Sequence, residues 1–258
     1  MSTDLTVLLE GIPVSCNQFN MGVANCILVQ TADKKILFNT GPYSERLYLI
    51  FKMLELKIGA DQIDMLVLSQ IHYDTAMNVD MFPKAKVYVH KDELDFATTT
   101  PEADPAMPWF LGPLIRDLPN VQIITGEVDL AEGVKVVELP GQTAGSIGLL
   151  VGNTLLAGDA IPTVRCAKQK QIYPCYYSGE LALTSLEKAM RMAEVIYPGH
   201  DRCFRTTDFK ILSEVSMSLR LFFSPTGQDQ EYVIKSEEQA TFATWPAFAK
   251  LVADPLKP

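Results

Sequence analysis

Long apolar runs are missing from this sequence. No stretch approaches the roughly eighteen consecutive apolar residues that a membrane-spanning helix requires, so an integral membrane protein is not expected. The first ten residues lack a basic segment followed by an apolar core and a small-residue cleavage site, which argues against a secretory leader. Cysteine is sparse. Cys16, Cys26, Cys166, Cys175 and Cys203 are odd in number, widely spaced and without a CxxC pair. That usage points to a reduced, cytoplasmic protein rather than a disulfide framework. Basic residues are also short: 22 Lys and Arg against 31 Asp and Glu leave a net charge of -9. No Lys/Arg cluster is present to displace counterions from a phosphate backbone, so nucleic acid is not an expected partner.

What is present is a chain of 258 residues, 48% hydrophobic, long enough to bury the core of one large α/β domain. Short apolar runs at 5–9, 25–30 and 36–39 read as strands broken by turn signals. Leu47, Ile50, Phe51 and Leu54 fall at helical spacing within 43–56. Residues 65–68 form a buried strand, followed by a polar stretch over 69–78, a strand over 86–89 and a helix starting at Lys91. The Thr- and Pro-rich loop 98–108 precedes Trp109-Phe110-Leu111, and its length suggests a functional role such as a lid. Strands follow at 121–124, 134–139, 147–151 and 155–157, with Gly152-Asn153 as a two-residue hairpin turn. A helix spans 178–193, directing Leu181, Leu186, Ala189 and Met190 to the core. A strand at 195–196 and a helix over 206–222 come next. Two β-rich halves, each followed by helices, suggest a helix-sheet-sheet-helix sandwich. The expected boundaries are a domain over 1–223 and an appendage over 224–258. The appendage, with Phe242, Trp245 and Phe248, is expected to pack on the domain or on a second subunit as a homodimer.

Four polar loops each follow an apolar strand: Gln70-Ile71-His72-Tyr73-Asp74-Thr75, Pro140-Gly141-Gln142-Thr143, Gly158-Asp159-Ala160 and Pro198-Gly199-His200-Asp201. Side chains at strand ends can converge on one edge of a sandwich, held in place by the strands. Two His and two carboxylates converging there suit a divalent cation, although strand-end polar residues are more often mere turns and caps. In this order and at these separations the loops resemble those of the metallo-β-lactamase superfamily: HxHxDH, PGHTxGS, a GD after a strand, and PGH. Leu37-Phe38-Asn39-Thr40-Gly41 is similar to that family's DTG, and the likeness spans about 25–204. The resemblance implies the αββα four-layer sandwich.

The departures from the pattern matter as much. By the resemblance, the first metal site's histidines would fall at 70, 72 and 142, and here they are Gln70, His72 and Gln142. The second site would use Asp74, Thr75 and His200, with Asp159 bridging, and Asn39 replaces the Asp of DTG. A Gln oxygen is a neutral, weak ligand, so a full two-zinc centre is not expected. Asp74, Asp159 and His200 remain as a hard, mononuclear set for iron, manganese or weakly held zinc, with His72 beside them. Such an ion lowers the pKa of bound water, and Asp74 can take the water's proton. His90 lies outside these motifs and reads as structural.

The leading expectation is a divergent hydrolase of a small ester, lactone or thioester with a reduced metal centre. Gln70, Tyr73, Thr75 and Gln142 would line the substrate pocket and His72 with Asp74 would act on the substrate. The rival is a catalytically silent, metal-free member that binds a small molecule or a partner. It would keep the same polar groups as hydrogen-bonded loop fillers. A third option is metal-free catalysis by His72 with Asp74, or by a cysteine near the loops. Tyr73 is either an oxyanion donor or pocket wall. Trp109, Phe110, Phe19 and Met21 either line an apolar entrance or belong to the core.

Overall fold

The computed structural model describes residues 3–14, 22–99, 103–213, 218–223 and 230–235. Phe19, Met21, Cys16 and the tail aromatics Phe242, Trp245 and Phe248 lie outside them. The first half contributes strands β1 (Asp4–Leu9), β2 (Cys26–Gln30), β3 (Lys35–Phe38), β4 (Met65–Val67), β5 (Lys86–His90) and β6 (Val121–Ile124). They form one sheet in that order, antiparallel from β1 to β3 and parallel from β3 to β6. The intervening helices are α1 (Arg46–Glu55), α2 (Lys91–Thr99) and α3 (Leu111–Arg116).

The second sheet comprises β7 (Val128–Ala131), β8 (Val134–Glu138), β9 (Ile147–Val151), β10 (Thr154–Gly158), β11 (Val195–Pro198) and β12 (Phe204–Arg205), in the order β12-β11-β10-β9-β8-β7. Helices α4 (Val164–Gln169) and α5 (Gly179–Met192) lie between β10 and β11. Gly152, at φ 58°, makes the predicted two-residue turn between β9 and β10.

Alternation along the strands builds the layers. In β2, Cys26 and Leu28 join a cluster with α1 residues Leu49 and Met53, while Ile27 and Val29 face the opposite way. There they meet Val134, Val136, Leu149 and Leu156 of the second sheet. A third cluster packs Val137, Leu139 and Leu155 against Leu186 and Ala189 of α5. Helix, sheet, sheet, helix is therefore the order of layers. The Ser178 hydroxyl caps α5, whose buried residues Ala182, Ser185, Leu186 and Ala189 follow helical spacing. Leu181, expected in the core, is exposed instead. No helix among the described residues is long and apolar enough to cross a membrane.

The expected helix over 206–222 does not form. Phe209 adopts φ 56°, and Arg205 N–H donates to Lys210 O across a tight turn. Residues Ser218–Phe223 are instead a strand, β13, paired antiparallel with β14 (Gln230–Lys235), Ser218 facing Lys235 and Phe223 facing Gln230. Its Leu and Phe content suits either state, and cross-strand pairing decided between them. By contacts the chain divides into one unit of 1–13 with 22–212 and a second containing 14–21 and 213–258. The hairpin thus falls within the second unit.

Candidate active site

The loop after β4 is shaped from beneath by Asn39. This residue sits at φ 63°, a left-handed conformation that Asn tolerates better than most residues, and its Oδ1 accepts from Ser69 N–H at 2.9 Å. Thr75 is fully buried, and its hydroxyl donates to Gln70 O at 2.8 Å and accepts from His72 N–H at 3.1 Å. That hydroxyl is spent inside the loop, so the structure gives Thr75 a loop-shaping position rather than the pocket-lining one expected.

Gln70 is also fully buried, and its Nε2 lies 2.7 Å from His72 Nδ1 and 2.8 Å from Asp159 Oδ2. One carboxamide thereby joins a ring nitrogen and a carboxylate that a first metal ion would otherwise share. The opposite ring nitrogen, His72 Nε2, is 2.7 Å from Asp104 Oδ2, and Asp104 is wholly buried. Burial works against charging the His72 ring, but Asp104 beside it favours the charge more and holds its pKa up at about 9. His72 Nε2 donates to Asp104 Oδ2. Asp104 also accepts from Ala106 N–H, and Tyr73 N–H donates to Ala106 O, which ties loop 103–108 over the motif.

Asp159 and His200 arrive on the ends of the parallel neighbours β10 and β11. Gly199 makes their approach possible, because a Cβ there would lie 1.9 Å from Asp159 Oδ1. His200 Nδ1 donates to Val23 O at 3.0 Å, which turns Nε2 toward Asp159 Oδ1 at 3.2 Å and Asp74 Oδ2 at 3.3 Å. Burial lowers the His200 pKa, but Asp159 and then Asp74 outweigh it and hold the pKa at about 10. Asp159 is buried too, yet His200 keeps it ionised below the usual carboxylate range. Asp74 goes the other way, to about 6, because burial and Asp159 outweigh His200 and His72. Three buried oxygens at these positions have no partner: Gln70 Oε1, Asp74 Oδ1 and Gln142 Oε1.

Gln142 is carried by the loop between β8 and β9. Gly141 takes φ 135° there, with no room for a Cβ against the α5 backbone. This loop and the one after β4 belong to different sheets, and a buried carboxylate from α2 fastens them. Glu93 Oε1 accepts from Ile71 N–H at 2.9 Å, and Oε2 accepts from the Thr143 hydroxyl at 2.5 Å and from Gly145 N–H at 3.1 Å. Tyr176 meets His72 edge-on at 5.9 Å between ring centroids, and its N–H donates to Gln142 O. Tyr73 O–H donates to Gly22 O at 3.5 Å. Burial first, then the surrounding carboxylates, pushes both phenols upward, so both keep their protons.

Asp104, Glu93 and Tyr176 escaped the sequence reading. The length of the loop containing Asp104 was a signal, but Glu93 looks like an ordinary acidic residue in a first helical turn. His90 is held by Glu138 at 3.0 Å, outside the site. Cys175 and Cys203 are not activated: Cys175 S–H donates to Gly141 O, and burial raises the pKa of both. Trp109 and Phe110 are exposed rather than core.

A two-ion centre does not fit these residues. Gln70 Nε2 stands between the first site's surviving ligands, and positions 75 and 142 offer no ring nitrogen. Among the described residues no group of three or more His, Cys, Asp or Glu side chains is arranged to hold a metal ion. The trio of Asp74, Asp159 and His200 is drawn up instead as an ion pair. Its donor chemistry still suits one hard or borderline ion once the Nε2 proton leaves, with the unpartnered Asp74 Oδ1 and the Asp159 Oδ1 that His200 then frees.

Comparison with known proteins bears on this geometry. The chain is 26% identical over 156 residues to an N-acyl homoserine lactonase of a Bacillus species, covering 56% of this chain and 59% of that protein. Less than two thirds of that relative is therefore spanned. An N-acyl homoserine lactonase of Bacillus cereus is 24% identical over 208 residues, covering 68% of this chain and 80% of the relative. The crystal structure of a quorum-quenching N-acyl homoserine lactone lactonase superposes with a TM-score of 0.61 at 21% identity, over 76% of this chain and 91% of that one, which speaks for the fold alone. The sequence profile of the metallo-beta-lactamase superfamily matches residues 20–200, and the chain belongs to that superfamily.

Proposed function

We propose that this protein hydrolyses a small ester, lactone or thioester, with one divalent ion rather than two held by Asp74, Asp159 and His200. The observation that carries the reading is the pair of contacts from His200 Nε2 to Asp159 and Asp74, at 3.2 and 3.3 Å, beside Asp74 Oδ1, which is buried and unpartnered. The lactonases among its relatives favour a lactone.

When bound, the ion supplies Lewis acidity and a more acidic water. The chain's own residues do the rest. Asp74 accepts a proton as the water oxygen bonds to the carbonyl carbon. The protonated phenol of Tyr176 donates toward the carbonyl oxygen as it gains negative charge. The C–O or C–S bond to the leaving group then breaks, and the leaving oxygen or sulfur takes the proton back from Asp74. Four free cysteines among the described residues accord with a reduced, cytoplasmic setting.

A second reading is favoured by Gln70. Its carboxamide cross-links His72 and Asp159 without any ion, as a silent ligand-binding member would need. Elemental analysis of tag-free protein, after incubation with iron, manganese or zinc, separates the two. About one ion per chain, lost in Asp159→Ala and His200→Ala, supports the hydrolase. Metal content that ignores both substitutions sinks it. Turnover of a lactone and ester panel that survives a chelator would point to metal-free chemistry instead.

A further inference from the structure

Helix α1 is built the wrong way round for a surface helix. Its buried residues are Leu49 and Met53, which pack under the first sheet. The opposite face of such a helix is normally charged. Here it carries Leu47, Phe51 and Leu54, continued by Tyr43 in the preceding turn and flanked by Tyr48, with exposures from 49% to 68%. The spacing from 43 to 47, 51 and 54 is one continuous helical stripe.

At about 150–250 Å² per large aromatic side chain and somewhat less for leucine, the stripe exposes on the order of 500 Å². That is near the upper end of the apolar patches found on monomeric proteins, about 300–600 Å², and patches of that size are often functional.

We infer that this stripe is the contact between two copies of the chain, α1 against α1 about a two-fold axis. An isologous pairing sets the same stripe on both sides, so each copy covers its own equivalent. The two stripes alone bury about 1,000 Å², the size at which a specific interface becomes credible, and their rims add to it. The flanking charges permit close approach. Arg46 is paired with Asp80 at 2.7 Å and Lys52 with Glu55 at 3.0 Å, so the charges beside the stripe are already neutralised despite the chain's net charge of -9.

Sedimentation equilibrium on the full chain at micromolar concentration tests this. The expected mass is twice the 28.6 kDa of one chain. Leu47→Glu and Phe51→Glu each should halve it, while Ile123→Glu, an exposed apolar site on β6, should leave it unchanged. Far-UV circular dichroism and a thermal melt verify the fold of each variant. If one of the pair folds poorly, Leu54→Lys takes its place. A wild-type monomer, including one whose stripe is shielded by its own chain, overturns the inference. So does a dimer that withstands every α1 substitution.

Discussion

Removing the Glu93 carboxylate should loosen two loops at once. In Glu93→Ala, the Ile71 and Gly145 N–H groups and the Thr143 hydroxyl lose their acceptor inside the protein. Each buried donor left without a partner costs about 1–3 kcal/mol. Ser146 Oγ lies 2.6 Å from Thr143 Oγ1 and can recover one of the three, so the net loss is about 4 kcal/mol. For a domain of this size 1 kcal/mol moves the melting temperature by about 2–4 °C, which gives a fall of about 8–16 °C. Glu93→Gln keeps the volume and one acceptor oxygen but turns an N–H toward a donor, so about half that fall is expected. Differential scanning calorimetry on tag-free protein measures both. A Glu93→Ala melt indistinguishable from that of Glu132→Ala, an exposed acid on the β7–β8 turn, would refute the fastening role. Equal losses for Gln and Ala would instead show that the ionised carboxylate, not its shape, holds the loops.

Two further outcomes follow from the site. Although burial lowers it, the His200 pKa is raised to about 10 by Asp159 and Asp74. The sign is that of a raised histidine: its stabilisation is fully present below the unfolded value near 6.5 and is lost as pH rises through about 10. Metal-free protein should therefore melt lower at pH 10 than at pH 6.5, and His200→Asn should flatten that slope; parallel slopes would disprove the ion pair. The second concerns the gap left by the missing ligands. Gln70→His with Gln142→His should take up more zinc per chain than wild type, by elemental analysis, because the carboxamide no longer bridges His72 and Asp159. Unchanged content would mean that these positions do not face a first metal site.

The strand-end loops show how far the sequence reached. His72, Asp74, Asp159 and His200 could be singled out because the loops that carry them resemble the superfamily's metal-binding motifs; their place at strand ends alone fits turns and caps more often. Gln70 was legible as an absent histidine but not as a donor to two partners, since hydrogen bonds between residues 89 apart leave no periodic trace. Asp104 and Tyr176 reach His72 from loops whose path depends on α2, α3 and α5. The helix misassigned over 206–222 failed because Leu and Phe serve either state, and pairing with β14 is a non-local choice.

By itself, then, the sequence determined the layers and the loops that meet, because alternation and helical spacing are local and each strand must bury its apolar faces. Only the tertiary structure decided which face of α1 turned inward, which nitrogen of His72 met Asp104, and that a carboxamide rather than an ion joins the first site's remnants. Those outcomes depend on distances between residues far apart in the chain, which packing alone sets.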